Sequence, residues 1–222
     1  MKYIYTIFSM LVFGLYAVAH APAKAEVFVW QDPEFNINFV YPDLWREQFN
    51  AHPDVKLHVM APQGRDYAAC KITAKQDKRF MMYPVRYTQR VNSIVFSADN
   101  LRQHYIEKEH LSLIRREDSV ALGKADAVYA EVRFVGKYGP RAIPMQSLAF
   151  ATLYGDMYLV FECEAAAQNW PYWHPIFMNM AKSIDFPLWQ DMNAHGFYPY
   201  DFMNEGDILL STDNAKTGTL RY

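Results

Sequence analysis

Apolar residues recur at every second position in several stretches of the chain, and this period of two predicts β-strands with one buried face. The first stretch is residues 35–41, where aromatic and aliphatic side chains alternate with asparagine and valine. Pro42 and Asp43 end this strand. Its buried face would carry Phe35, Ile37, Phe39 and Tyr41.

Two more strands are expected at Val55–Met60 and 68–74. The segment between them contains Pro62 and Gly64, which suit a turn, so the two strands are expected to pair as a hairpin. Alternation along the second strand turns Cys70 towards the core.

Further strands follow in the second half of the chain, where turns that contain glycine separate them. Gly123 joins a short strand to a longer one, and the turn around Gly155 links the two longest apolar strands. The strands expected here are 120–122, 126–136, 145–153 and 157–163.

A first helix is expected between these two groups of strands, from Ala98 to about His110. Ser97 can cap it, because a serine hydroxyl accepts a hydrogen bond from an early backbone amide. Asp99 suits the positive N-terminal end of such a helix. The side chains expected to face inward are Leu101 and Tyr105.

A second helix is expected at 171–183. Pro171 is tolerated in a first turn, whereas Pro175 moves the expected start of a regular helix towards Trp173. Ile176, Phe177 and Met180 would pack on the sheet.

The order of the elements indicates the fold class. Strands dominate, and the helices lie between and after them without a regular β-α alternation, which indicates an α+β domain on a central, mostly antiparallel sheet. The domain is expected at 26–187. Residues 188–222 have no sustained period and are interpreted as a C-terminal extension that wraps over the domain and frays at its end.

Two short segments at the edges of this domain carry a family resemblance. The sequence Tyr-Pro-Asp-Leu-Trp at 41–45 opens the domain, and Ser-Ile-Asp-Phe at 183–186 ends its last helix. With the antiparallel strands between them, residues 27–187 resemble the PsbP-like superfamily, which includes the extrinsic photosystem II protein, a nuclear Ran-binding relative and bacterial periplasmic DcrB-type proteins. The resemblance implies an α/β/α sandwich and a partner-binding or assembly role without shared catalytic residues. The tail after Pro187 and the cysteine pair depart from the family pattern.

Residues 1–25 have the three parts of a secretory signal peptide. Lys2 is the charged start, an apolar run follows at 3–19, and Ala-Lys-Ala at 23–25 supplies the small residues that signal peptidase requires. Cleavage is expected directly after this motif, and Ala21 ends a second possible motif. An uncleaved membrane anchor is the alternative, although about 17 apolar residues are near the lower limit for spanning a bilayer.

Composition fits one globular domain and argues against other classes of protein. The chain has 222 residues, of which 51% are hydrophobic and 21% charged, and this disfavours disorder or a multi-domain enzyme. The formal net charge is only −2 at pH 7. It gives no reason to expect nucleic acid or a polybasic contact with a membrane.

The two cysteines, Cys70 and Cys163, would both remain after signal cleavage. In an oxidising compartment such a pair is more often a disulfide than a metal site or a nucleophile. The alternative is two unpaired buried thiols on neighbouring strands.

No motif for catalysis or metal binding is found. The histidines form no H-E-x-x-H motif and no closely spaced Cys/His pair, and on the expected helix His104 and His110 would point about 120° apart. Phosphate-binding glycine loops and the G-x-S-x-G motif do not occur. The carboxylates of 107–118 lie among basic residues and are interpreted as a solvated helix end. The sequence predicts no cofactor.

Two segments rich in methionine and aromatic residues are candidate binding surfaces, because such side chains bury large areas at protein interfaces. For the segment 170–178, packing in the core or as a lid over the sheet is the favoured interpretation. For the other segment, packing in the core or as a lid is an equal alternative, and flanking charges and Pro84 suit a presented loop. Its candidate partner-binding residues are Phe80, Met81, Met82, Tyr83 and Tyr87.

These observations predict an exported, non-catalytic module that binds or assembles with another envelope protein, in the periplasm or secreted. No binding of nucleic acid is expected, and no stable membrane insertion after signal cleavage. The alternative is a protein with a pocket for a small molecule or lipid, which could also be an enzyme. A large enclosed apolar cavity would favour that alternative, whereas an exposed apolar patch would favour the binding module.

Overall fold

The computed structural model describes residues 26–49, 52–62, 66–78, 85–138 and 141–187. These residues form β1 (Val27–Gln31), β2 (Asn38–Pro42), β3 (Arg46–Glu47), β4 (Val55–Met60), β5 (Ala69–Gln76), α1 (Thr88–Val95), α2 (Ala98–His104), β6 (Glu109–Leu122), β7 (Ala125–Tyr138), β8 (Arg141–Tyr154), β9 (Met157–Ala166) and α3 (Trp170–Lys182). Short 3-10 turns precede α1 and α3.

Seven of these strands form one antiparallel sheet in the order β3-β4-β5-β9-β8-β7-β6. β1 and β2 form a separate antiparallel hairpin. Backbone hydrogen bonds of 2.7 and 3.0 Å between Asn38 and Asp185 attach this hairpin to the segment after α3. The predicted α+β fold with a mostly antiparallel sheet is confirmed.

The large sheet lies between two layers. α3 and the hairpin pack on one face, over the largest cluster of buried side chains. α1 and α2 pack on the other face, over a second cluster. This is the α/β/α order that the family resemblance implies.

Aromatic rings fill the space between the sheet, the hairpin and α3. Phe39 of β2 meets Phe161 of β9 with ring centroids 5.5 Å apart, and Trp45 meets Phe177 of α3 at 6.4 Å. Each such ring buries roughly 150–250 Å², so this layer supplies much of the hydrophobic stabilisation. The inward faces predicted for β2, β5 and β9 are confirmed by the burial of Ile37, Phe39, Tyr41, Cys70, Ile72, Ala74, Leu159, Phe161 and Cys163.

Cys70 and Cys163 form a disulfide within this core. They lie directly opposite each other on β5 and β9, their Cα atoms are 4.1 Å apart, and both side chains are buried. This distance is within the limit of about 7 Å that a disulfide can span. Disulfides are typical of proteins that fold in oxidising compartments outside the cytoplasm.

A buried asparagine fixes α1 to the opposite face of the sheet. Asn92 is fully buried, and its amide nitrogen donates to the Asp126 carbonyl oxygen at 2.7 Å and to the Thr152 hydroxyl at 3.3 Å. Its amide oxygen accepts a hydrogen bond from the Leu153 backbone N–H at 2.7 Å. Because a buried polar group costs stability unless it is paired, these bonds fix the position of the helix.

The first predicted helix is shorter than expected. Ser97 caps it as predicted, because its hydroxyl accepts a hydrogen bond from a backbone amide of the first turn. The helix ends at His104 rather than near His110, so the predicted end is wrong. Tyr105 leaves helical geometry and inserts its buried ring into the core beside β7 and β8.

The charge-rich stretch 107–118, expected as a helix end, lies mostly in strand β6, so this interpretation is also wrong. Charged residues obscure the period of two in its sequence. Its leucines, Leu111 and Leu113, pack against a buried cluster that includes residues of β7 and β8. Arg116 of this strand donates to two carbonyl oxygens at the end of α1, at 2.8 and 3.1 Å. A cation there complements the negative C-terminal end of the helix.

The second predicted helix, 171–183, is confirmed within one residue at each end. α3 starts at Trp170, with Pro171 in its first turn and Pro175 inside it, rather than near Trp173. β1, β3 and α1 were not predicted from the sequence. Residues 1–25 and 188–222, interpreted as signal peptide and C-terminal extension, lie outside the described residues.

Candidate functional site

Most of the predicted partner-binding segment lies outside the described residues, and its role stays a prediction. The residues concerned are Phe80, Met81, Met82 and Tyr83. Tyr87 is described and lies partly buried in the turn before α1, with the Arg86 guanidinium 5.0 Å from its ring centroid.

The second aromatic segment forms the first turns of α3 and is mostly core. Trp170 is buried, and the Trp173 ring stacks on Phe177 at 5.8 Å. The Trp173 indole N–H also donates to the Asp66 carboxylate at 3.1 Å. Tyr172, in contrast, is 65% exposed.

The outer face of the β1–β2 hairpin is apolar and faces solvent. In the antiparallel register Val27 lies opposite Pro42 and Val29 opposite Val40, so these four side chains share one face. Val27 is 58% exposed and Val29 is 64% exposed. We call Val27, Val29, Val40 and Pro42 the hairpin face. Leu44, two residues beyond it, is 76% exposed.

The hairpin turns its inner face to the core. Phe28 meets Tyr41 with ring centroids 5.2 Å apart, and Trp30 packs against the main core cluster. The hairpin is therefore apolar on both faces. A strand that only covered the core would be expected to alternate apolar with polar residues.

β1 also has an open edge. Backbone hydrogen bonds join Asp43 to Glu26 at 3.1 Å and Asp32 to Ile37 at 2.9 Å, at the two ends of the hairpin. By antiparallel alternation, the intervening even-numbered residues of β1 bond to β2, and the backbone N–H and C=O groups of Val27, Val29 and Gln31 point the other way. Among the described residues, no strand pairs with that edge.

Carboxylates border the hairpin face where β1 begins and β2 ends. The side chains of Glu26 and Asp43 form no ion pair with any described residue. Glu47 lies close by and accepts a hydrogen bond from the Tyr41 hydroxyl at 2.8 Å. With Arg46 as the neighbouring cation, this border has a net negative charge, which attracts basic partners.

A polar cluster lies on the opposite face of the sheet, beside α2. Glu162 of β9 is buried, and Lys71 of β5 lies directly opposite it with an Nζ–Oε2 distance of 3.1 Å. His104 Nε2 lies 3.7 Å from the same oxygen. Burial alone would raise the pKa of Glu162, but the nearby His104 and the charge of Lys71 outweigh it and hold that pKa far below its usual range.

A second ion pair lies next to the first. Lys108 Nζ lies 3.2 Å from Glu164 Oε2, and the Tyr138 hydroxyl donates to Glu164 Oε1 at 3.2 Å. Between the two pairs is a cleft of about 220 Å³. We call it the β5–β9 cleft; it is lined by His58, Ala69, Cys70, Lys71, Lys108, Glu162 and Glu164.

A further histidine–carboxylate pair lies on the α3 face. His174 Nε2 is 3.2 Å from Glu131 Oε1, and the Tyr129 hydroxyl donates to the same carboxylate oxygen. Burial and the hydrogen bond to Glu131 raise the pKa of Tyr129. This pair and the one between His104 and Glu162 each connect a helix to a sheet strand distant in sequence.

The described residues give little support for a metal site or for a pocket that holds a large ligand. They contain no group of three or more side chains placed to hold a metal ion. An apolar cleft of about 280 Å³ lies between α2 and the sheet, lined in part by Phe96, Leu101 and Val160. It is smaller than the roughly 300–1,000 Å³ usual for the pockets of drug-sized ligands. None of the helices in the described ranges is long and apolar enough to cross a membrane.

Several solved structures of other proteins are similar in fold to this chain. No family model matches the chain, and no curated protein matches it. The solved PsbP (CyanoP) of Synechocystis sp. PCC 6803 is 15% identical with a TM-score of 0.49, over 76% of this chain and 97% of that chain. PsbP belongs to the superfamily that the sequence resembles.

Two other solved structures are similar at lower identity. The Ran-binding protein Mog1p of Saccharomyces cerevisiae is 8% identical with a TM-score of 0.44, over 73% of this chain and 96% of that chain. LpqN of Mycobacterium tuberculosis, described as involved in cell envelope biogenesis, is 11% identical with a TM-score of 0.45, over 73% and 91%. Identities this low assign no residue a role.

Proposed function

We propose that this protein is an exported, non-catalytic module that binds another envelope protein through the β1–β2 hairpin. The observation that carries the proposal is the solvent-exposed hairpin face beside the open edge of β1. Exposed apolar patches of this kind mark interaction sites, and an unpaired edge strand accepts a further strand.

The chemistry of this surface indicates what kind of partner segment it would bind. The outward backbone groups of Val27, Val29 and Gln31 offer hydrogen bonds to an extended segment, and the hairpin face offers an apolar surface beside it. The carboxylates of Glu26 and Asp43 favour Lys or Arg at the ends of that segment. The expected partner therefore presents an apolar strand flanked by basic residues.

Two features support the proposed export from the cytoplasm. The Cys70–Cys163 disulfide suits an oxidising environment, and residues 1–25 have the composition of a signal peptide. Export to the periplasm or the exterior is part of the proposal, as is a second contact at the segment that contains Met82 and Tyr83.

Synthetic peptides of defined sequence test the hairpin as the binding surface. The probe has seven residues, with alternating Val and Thr between terminal Lys residues. Matched controls carry Glu at both ends or Pro at the centre. Because like charges repel at the border, the Lys-flanked peptide should bind roughly tenfold more tightly than the Glu-flanked one, a difference of about 1.4 kcal/mol. Isothermal titration calorimetry measures both affinities.

Backbone substitution separates strand addition from side-chain contact. Val29→Pro removes an N–H on the open edge, where proline is tolerated, and leaves the hydrogen bonds to β2 in place. This variant should lose peptide binding, whereas Val29→Thr, which keeps the N–H and the β-branched shape, should retain it. Equal binding by Val29→Pro would show that the strand does not add to β1, and equal binding of the Glu-flanked peptide would show that the carboxylate border does not select the partner.

A further inference from the structure

The β5–β9 cleft lies on the face of the sheet opposite the hairpin, and the proposed protein binding does not use it. Its shape follows from one small side chain. Ala69 shares a face with Lys71 and lies directly opposite Glu164, so the space that a longer side chain would fill stays open between the two ion pairs.

The charges around the cleft balance. Lys71 pairs with Glu162, and Lys108 pairs with Glu164, so two cations meet two carboxylates. His58 borders the cleft, and burial, with the neighbouring Lys71 charge, lowers its pKa, which keeps the imidazole neutral at pH 7. Because the lining is neutral overall, a ligand with a single charge would be attracted by the side chains of opposite charge and repelled by those of the same charge.

The lining retains unused hydrogen-bonding capacity. A lysine ammonium has three N–H donors, and the structure pairs Lys71 and Lys108 with one carboxylate each. Glu164 accepts from Lys108 and from Tyr138, and each of its oxygens can accept one more bond. The Glu164 side chain is partly exposed to the cleft, whereas that of Glu162 is buried.

We propose that the β5–β9 cleft binds the zwitterionic head of a free α-amino acid. The ammonium group donates to Glu164, and the carboxylate accepts from Lys71 and from His58. A zwitterion meets both signs of charge and leaves the cleft neutral. A volume of about 220 Å³ admits a small amino acid and is below the range for drug-sized ligands.

Thermal unfolding of the purified protein with alanine as the probe tests this proposal. Ligands that bind only the folded state raise the midpoint, and alanine at 10 mM should raise it by about 2–5 °C. N-acetylalanine lacks the ammonium and alaninamide lacks the carboxylate, so each should raise the midpoint by less than half as much. Calorimetric titration at 25 °C should show the same order.

Two variants test the position of the ligand. Ala69→Leu fills the cleft without removing a charge, and Glu164→Gln removes the negative charge that holds the ligand ammonium; both should abolish the alanine-dependent shift. Asp54→Asn is the matched control, because Asp54 also pairs with a lysine, Lys75, but lies outside the cleft. It should keep the full shift.

Three outcomes would overturn the proposal. The first is an absence of any shift with alanine, and the second is an equal shift with N-acetylalanine or alaninamide. The third is an unchanged shift in Glu164→Gln, which also decides the matter if Ala69→Leu does not fold.

Discussion

Removing the Cys70–Cys163 disulfide should destabilise the protein by acting on the unfolded chain. In the folded state β5 and β9 pair continuously from Ala69 opposite Glu164 to Gln76 opposite Met157, so their alignment does not depend on the bond. In the unfolded state the bond closes a loop across a sequence separation of 93 residues. Its loss therefore increases the conformational entropy of the unfolded chain.

The size of this effect follows from the loop length. For a loop of that separation the chain-entropy model gives about 4–5 kcal/mol at 25 °C as an upper value. A domain of this size loses about 2–4 °C of thermal midpoint for each kcal/mol. The double variant Cys70→Ala/Cys163→Ala should then unfold about 10–20 °C below the unmodified protein.

Urea unfolding of four proteins gives the free energies. Fluorescence of the core tryptophans, Trp45 and Trp170 among them, reports the transition without reductant. Each single variant already lacks the bond, so Cys70→Ala, Cys163→Ala and the double variant should lose similar amounts, within about 1 kcal/mol. The two single losses together should thus greatly exceed the loss of the double variant.

Independent thiols would give a different result. If the two cysteines were unbonded, the single losses would be small and would add up to the loss of the double variant. Additive losses, or the titration of two thiols in the denatured unmodified protein, would refute the disulfide and the reasoning built on it.

Three further predictions concern other parts of the fold. Asn92→Ala leaves the Leu153 N–H without its partner and should cost about 2–4 kcal/mol in urea unfolding, whereas Ser93→Ala on the exposed side should change stability by less than about 0.5 kcal/mol. Because the pKa of Glu162 is lowered in the folded state, its contribution is present above the unfolded pKa of about 4.3 and is lost as the pH falls below it. Acid unfolding between pH 2 and 5 should therefore be less steep in Glu162→Gln. Met82→Ser/Tyr83→Ser should leave the thermal midpoint nearly unchanged while weakening capture of the partner protein, and a fall of many degrees would place this segment in the core.

The strands that the sequence predicted show either an alternation of apolar and polar residues or a sustained apolar run. β4 alternates and was predicted with its observed bounds, whereas β8 and β9 are buried on both faces and were predicted within a few residues from their apolar runs and the turn around Gly155. Local signals do not report long-range pairing. The order of the seven strands, with β9 between β5 and β8, depends on contacts between residues far apart in the chain.

The elements that were missed break the local rules for identifiable reasons. β1 has four consecutive apolar residues from Val27 to Trp30, because one face meets the core and the other faces solvent. α1 turns a polar side chain, Asn92, into the sheet, so its buried face does not look apolar in sequence. The first exception is the proposed binding surface, and departures from consistent patterning are expected at functional sites.

The polar cleft could have been inferred from the cysteines once their strands were known to pair. In an antiparallel pair, each step forward on one strand is a step back on the other, so placing Cys70 opposite Cys163 also places Lys71 opposite Glu162 and Ala69 opposite Glu164. Side chains alternate between faces, so these residues lie on the face opposite the disulfide. Knowing that the two cysteines lie opposite each other is therefore enough to predict both the ion pair and the gap beside it. What the sequence did not show was that β5 and β9, some 90 residues apart, are neighbours.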